Sequence, residues 1–267
     1  RARCSSSTAP GGLFAASRSR KRHPGAQPAG TVVATAAVIG QIAARKGVRG
    51  VSGDGQQRRR AQSLGEEIAN SVSHGVGLLV ALIAAPVLVV DAIQRGDTAG
   101  IIGASVFAAT MVLLYVTSTL YHALPPTRAK AIFRILDHSA IYLFIAGTYT
   151  PFALGVLRGP WGSSLVVLVW ALALLGIGLK TAGGLGHPKL STGVYLAMGW
   201  LILVAAKPLV AAIPPWGLFW LLAGGLVYTA GVGFFAAPRV RYTHFVWHLF
   251  VAAGTTCHFV AVLRYAS

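Results

Sequence analysis

Residues 243–263 read THFVWHLFVAAGTTCHFVAVL, an apolar run that is long enough to cross a membrane as a helix and that carries two histidines at its start. His244 and His248 are four positions apart, which places both imidazole rings on one face of a helix. Polar rings inside a bilayer are costly, so the pair indicates a function. We interpret these histidines as two ligands of one metal ion.

The whole chain has the composition of a membrane protein. Of its 267 residues, 55% are hydrophobic and only 11% are charged, and the mean hydropathy is +0.65. The net charge is +17, but twelve of the 23 lysines and arginines lie in residues 1–60 and the others lie in short stretches between apolar runs. This distribution is typical of charges that orient helices in a bilayer, so we expect no nucleic-acid partner.

Residues 1–62 differ from the rest of the chain. They are rich in Arg, Ser, Gly, Pro and Ala and contain one acid, Asp54, which predicts a disordered basic tail. The same composition resembles an organellar transit peptide, and an over-extended reading frame is a further interpretation. We therefore divide the chain into this tail and a membrane domain at residues 63–267.

Order is predicted to begin at Ser63-Leu64-Gly65-Glu66, which has the form of a helix capping box. Seven apolar runs of membrane-spanning length follow. They lie at residues 70–90, 99–122, 135–156, 161–179, 191–212, 215–236 and 243–263. The predicted fold is an all-α integral membrane protein with a bundle of seven transmembrane helices.

The charges of the loops predict how the bundle is oriented. One side carries the basic tail together with Arg128, Lys130, Arg134, Lys180, Lys189, Arg239 and Arg241. The other side carries Arg95, Arg158, Lys207 and Arg264. By the positive-inside rule the N-terminus is cytoplasmic and the C-terminus is outside.

This orientation brings nearly all of the ionisable residues within the spans, and several uncharged polar ones, to the cytoplasmic side. They are Glu67, Asn70 and His74 on the first helix, Ser118 and His122 on the second, Asp137 on the third, and His244 and His248 on the seventh. Three of them, His122, His244 and His248, make the ligand set of a zinc ion with an open fourth position. Zn²⁺ is the cofactor that we predict.

The other polar residues at this depth receive supporting roles. We expect Asp137 to contact a water in the open position and to act as general base and acid. Ser118 is expected to donate a hydrogen bond to a developing oxyanion or to orient an imidazole. Glu67, Asn70 and His74 are spaced to form a polar strip that faces the site. His258 lies about 15 Å deeper and is expected to hydrogen-bond between helices.

At these residues the sequence resembles the hemolysin III family, the bacterial branch of the adiponectin and progestin receptor superfamily. The matching segments are Glu66 to Asn70 with His74, Ser118 to His122, Leu136 to Tyr142, Gly147 to Pro151, and His244 to Phe250. The resemblance implies a seven-helix bundle that holds zinc through the same three histidines, with Asp137 beside the water. Alkaline ceramidase-like members of the superfamily imply hydrolysis of an amide or ester in a lipid substrate.

Three functions remain open at this point. The leading one is a zinc-dependent membrane hydrolase of a lipid amide or ester at the cytoplasmic leaflet. The second is a receptor or a pore-forming, cytolytic protein in which zinc is structural, and the third is a cytochrome with bis-histidine haem. We expect the bacterial plasma membrane as the location, or an organellar membrane if the tail is a transit peptide.

Overall fold

The computed structural model describes residues 60–182, 188–237 and 239–266, and the predictions for the tail at residues 1–59 lie outside this range. Within the described residues the chain is helical throughout and contains no strand. Seven of the helical segments are long and apolar enough to cross a membrane. The predicted all-α bundle of seven spans is therefore confirmed.

The helices follow one another with short connections. They are α1 (Leu64–Arg95), α2 (Thr98–Ala123), α3 (Arg128–Pro151), α4 (Gly159–Ala182), α5 (Pro188–Trp200), α6 (Ala206–Ala212), α7 (Pro215–Phe235) and α8 (Thr243–Tyr265). A π-helical segment, Phe152–Leu157, extends α3, and a 3₁₀ segment, Leu201–Ala205, joins α5 to α6 in the fifth span.

Helix α1 begins as its sequence predicts. The Ser63 hydroxyl accepts a hydrogen bond from the Glu66 backbone N–H, and the Glu66 carboxylate accepts one from the Ser63 backbone N–H. This reciprocal pair satisfies two of the amides that a helix start leaves without partners. The helix ends at Gly96, which has a left-handed φ of 74°.

Helix α3 begins earlier than the apolar run predicts. The run starts at residue 135, whereas the helix starts at Arg128, because Thr127 caps it by accepting a hydrogen bond from the Lys130 backbone N–H. A turn rich in basic residues thus precedes the apolar part of the helix. Asp137 consequently lies about 14 Å from the helix start, given the rise of about 1.5 Å per residue.

Packing returns the end of the chain to its beginning. Helix α1 packs against α2 and α8, α2 packs against α3, and α7 packs against α8. Because α8 lies beside α1, the first, second and last spans share an interface. Leucine, isoleucine and valine side chains such as Ile83 and Val167 cover the outer surface, as a bilayer requires.

The fifth span is broken where α5 gives way to the 3₁₀ segment. Pro208 has no N–H to donate to the Val204 carbonyl, which disfavours a regular α-helix just before it. The Tyr149 hydroxyl from α3 repairs the break. It accepts a hydrogen bond from the Ile202 N–H at 2.9 Å and lies 2.7 Å from the Met198 carbonyl oxygen, to which it can donate.

We expect Tyr149→Phe to lower the thermal stability of the protein, because it leaves the half-buried Ile202 N–H without the acceptor that the tyrosine hydroxyl provides. An unsatisfied buried polar group costs about 1–3 kcal/mol. The melting temperature in detergent or nanodiscs measures the effect. Val167→Ala, at a lipid-facing position on α4, is the control; equal melting temperatures for the two variants would contradict this role of Tyr149.

Candidate metal centre

Histidines from α2 and α8 meet at one end of the bundle. One ring nitrogen from each of His122, His244 and His248 lies within 4.8 Å of the other two. His122 and His248 are buried and His244 is half-buried. The structure therefore brings together the three residues predicted as metal ligands, in an arrangement that could hold an ion.

Helix α1 fixes the orientation of the His122 ring. Its Nδ1 lies 2.8 Å from Oε2 of Glu67, and because a carboxylate only accepts, Nδ1 carries the proton. The lone pair is then on Nε2, which is buried and has no hydrogen-bond partner among the described residues. A histidine that binds a metal usually donates one ring N–H to a carboxylate and offers the lone pair of its other nitrogen to the ion.

The His248 ring is held in the same way by another part of α1. Its Nδ1 lies 3.1 Å from the Asn70 carbonyl oxygen, which makes Nδ1 the donor and leaves the lone pair on Nε2. The Ser73 hydroxyl also lies 3.1 Å from this Nδ1. The His74 ring stacks on the His248 ring at a centroid distance of 3.6 Å and an interplanar angle of 12°.

The polar residues of α1 thus lie against the histidines of the cluster. Glu67 contacts His122, the Asn70 side chain lies 3.4 Å from His122 Nδ1, and His74 covers His248. Lys130 of α3 adds an ion pair, with its Nζ 3.0 Å from the second carboxylate oxygen of Glu67. Sequence reasoning assigned Lys130 only to the orientation of the bundle and did not single out Ser73, although Ser73 lies three positions after Asn70 on the same face.

Asp137 and Ser118 lie next to each other beside this cluster. The Asp137 carboxylate interacts with the Ser118 side chain and lies within electrostatic range of His122. Asp137 is not a member of the group of residues whose ligand atoms converge. Asp137 thus lies beside the three histidines and outside the group that they form, and its role at a metal-bound water stays a prediction.

Two further histidines lie outside the cluster. His138, next to Asp137 in sequence, has its Nδ1 2.6 Å from the Arg134 carbonyl oxygen of its own helix. His258 of α8 has its Nε2 3.3 Å from the Leu221 carbonyl oxygen of α7. The expectation that His258 hydrogen-bonds between helices is confirmed.

The chain matches a known family over most of its membrane portion. Residues 62–259 match the family described as "Haemolysin-III related". The chain belongs to the hemolysin III family. The predicted resemblance is thereby confirmed. Family membership and the seven helices of membrane-spanning length together identify an integral membrane protein.

Curated relatives cover nearly the same part of the chain. "Hemolysin-3" from Bacillus cereus is 43% identical over 207 residues, which are 78% of this chain and 94% of the relative. The "Hemolysin-3 homolog" from Bacillus subtilis (strain 168) is 44% identical over 200 residues, which are 75% of this chain and 94% of the relative. The human "Monocyte to macrophage differentiation factor" is 29% identical over 216 residues, which are 75% of this chain and 84% of the relative. No solved structure gives a significant match.

The chemistry of the donors narrows the kind of ion that this hemolysin III family member could hold. Three imidazoles suit a transition metal such as zinc, copper, iron or nickel better than calcium or magnesium, which prefer oxygen. The rings of His244 and His248 have centroids 4.7 Å apart and converge with His122 on one point. Axial ligands of a haem would instead face each other across a macrocycle, so the arrangement disfavours the cytochrome.

We expect the double substitution His244→Ala and His248→Ala to abolish stoichiometric metal binding, because it removes two of three ligands. Elemental analysis of the purified protein measures the metal content. His258→Ala, on the same helix but outside the cluster, is the matched control and should retain the metal. A double variant that keeps its metal would rule out this site.

Glu67→Ala is expected to lower the metal affinity about 10–100-fold, the usual effect of removing the partner that orients a ligand histidine. Glu67→Gln keeps an acceptor oxygen and should lose less. Competition with a chelator of known affinity measures both values. Wild-type affinity in Glu67→Ala would show that the contact with His122 does not support the site.

Proposed function

We propose that this protein is a zinc-dependent membrane hydrolase that cleaves an amide or ester bond of a lipid. The observation that carries the proposal is the three-histidine cluster with Asp137 and Ser118 beside it. Three nitrogen ligands leave a tetrahedral zinc ion one open position, as in catalytic sites, whereas structural zinc usually has four protein ligands.

Zinc bound to His122, His244 and His248 would act as a Lewis acid and lower the pKa of a water to about 7. Asp137 accepts the proton of the attacking water and then delivers it to the leaving nitrogen or oxygen. The water oxygen first bonds to the carbonyl carbon, and the C–N or C–O bond of the substrate then breaks as the leaving group takes up the proton, which gives a fatty acid and an amine or alcohol. The Ser118 hydroxyl, which has a single proton, turns from the Asp137 carboxylate to donate a hydrogen bond to the carbonyl oxygen as negative charge develops on it.

The cytoplasmic leaflet is the proposed location of this chemistry. The described basic residues at the end of the bundle that holds the cluster are more numerous than those at the other end. They are Arg60, Arg128, Lys130, Arg134, Lys180, Arg239 and Arg241, against Arg95, Arg158, Lys207 and Arg264. The positive-inside rule then puts the cluster on the cytoplasmic side. A lipid substrate would reach it from the bilayer, and the bacterial plasma membrane is the proposed compartment.

The names of the Bacillus relatives favour a second candidate, a pore-forming or cytolytic protein with structural zinc. The packing of the bundle argues against a channel through one copy. The ring of Tyr228 lies where a side chain on Gly254 would be, and the ring of His258 lies against Gly224 in the same manner. These rings fill the interface between α7 and α8, so this interface contains no pore within one copy.

We expect Asp137→Asn to retain stoichiometric zinc and to lose hydrolysis by about 10²–10⁴-fold, the usual contribution of a general base. The assay incubates purified protein in nanodiscs with long-chain N-acyl amides and esters and measures released fatty acid by mass spectrometry. Asp91→Asn, which changes a carboxylate at the other end of α1, is the matched control.

One outcome would contradict the proposed mechanism and another would overturn the proposed function. An active Asp137→Asn variant would remove Asp137 from the mechanism. Zinc-loaded wild-type protein that hydrolyses none of the lipids but conducts ions across a planar bilayer would establish the second candidate instead.

A further inference from the structure

Glu66 makes more contacts than its role in the capping box requires. The residue is only 4% exposed, although it is a carboxylate at a helix start. Its Oε2 accepts hydrogen bonds from the Ser63 backbone N–H at 2.8 Å, from the Ser63 hydroxyl at 2.9 Å and from Arg60 Nη1 at 2.9 Å. Its Oε1 accepts from the other guanidinium nitrogen of Arg60 and, at 3.0 Å, from the backbone N–H of Tyr242.

Tyr242 is the residue at which the chain enters α8. It has a left-handed φ of 61°, which is uncommon for a tyrosine and persists only where the surroundings fix it. No side chain within the helix caps α8. The Glu66 carboxylate contacts the amide of this strained residue, and the Tyr242 carbonyl accepts the first α8 hydrogen bond, from Val246 at 3.0 Å.

The ligand His244 lies two residues after Tyr242, in the first turn of α8. The rotation and depth of this turn decide whether its ring reaches the other two histidines. Helix α1 already holds His122 through Glu67 and His248 through Asn70. Glu66 extends the same support to the segment that carries His244, across 176 positions of sequence.

We propose that Glu66 is a positioning residue of the metal centre: its carboxylate fixes the start of α8 so that His244 joins His122 and His248. This inference rests on the proposed metal site. The adjacent acids of α1 then have separate tasks, since Glu67 orients a ligand ring directly and Glu66 acts through the backbone of Tyr242. The simpler alternative is that Glu66 only caps α1.

Cobalt substitution separates these two roles, because the d–d absorption of Co²⁺ reports the geometry of its ligands. We expect Glu66→Ala to shift the cobalt spectrum and to weaken binding about 10–100-fold, as loss of a ligand-supporting contact does. Glu66→Gln, which keeps an acceptor for the Tyr242 N–H, should restore most of the affinity. Ser63→Ala removes the capping hydroxyl and its 2.9 Å hydrogen bond to Glu66 Oε2, but it leaves the contact between Glu66 Oε1 and the Tyr242 N–H, so it should change the spectrum and the affinity much less than Glu66→Ala does.

A wild-type cobalt spectrum and affinity in Glu66→Ala would overturn the inference, and so would an equal loss in Ser63→Ala. If Glu66→Ala does not fold, the two measurements are made on Glu66→Gln and on Glu66→Asp. The shorter side chain of Glu66→Asp withdraws the acceptor from the Tyr242 N–H, whereas Glu66→Gln keeps it. Only a loss confined to Glu66→Asp supports the inference.

Hydrogen exchange of metal-free protein tests the contact without the ion. We expect the amides of residues 242–246 to exchange faster in Glu66→Ala, or in Glu66→Asp, than in Ser63→Ala. If the wild-type protein binds no metal, the proposed function fails, while faster exchange in these variants would still support the contact with α8. Unchanged exchange would overturn the contact itself.

Discussion

The hydrogen bonds that histidines of α2 and α8 donate to acceptors on α1 are the interactions on which the histidine cluster depends. An imidazole inside a bilayer has no water to bind, so each nitrogen needs a protein partner or an ion. Glu67 and the Asn70 carbonyl supply acceptors for Nδ1 of His122 and His248. The remaining nitrogens are thereby left as lone-pair donors that face one another, which is the electronic state a metal requires.

The contacts with α1 also explain why the first and last spans must be neighbours. Helix α8 has a strongly apolar sequence apart from its histidines and lacks a side-chain cap, so little within it specifies its rotation. Contacts from Glu66, Ser73 and His74 supply that specification. A bilayer provides no hydrophobic drive for helices to associate, and polar contacts of this kind add specificity to packing.

The third and fifth spans must satisfy backbone groups where their helices are irregular. The third span contains a π-helical segment after Pro151 and the fifth contains a 3₁₀ segment before Pro208, and both interrupt the regular ladder of hydrogen bonds. The Tyr149 hydroxyl satisfies the backbone at the second interruption. Irregular backbone is tolerated within a membrane where protein groups of this kind replace the lost partners.

The sequence by itself determined the number of spans, the capping box at Ser63 and the identity of the three converging histidines, because apolar length and four-residue spacing are local properties. Only the tertiary structure decided the earlier start of α3, the broken fifth span and the partners of the histidines. The contacts of Glu66 with Tyr242 and of Glu67 with Lys130 join residues far apart in sequence, and no local pattern specifies such pairs. The rotation of α1 against its neighbours decides that Glu67 faces the His122 ring and Glu66 faces the backbone amide of Tyr242. Packing between the helices sets this rotation.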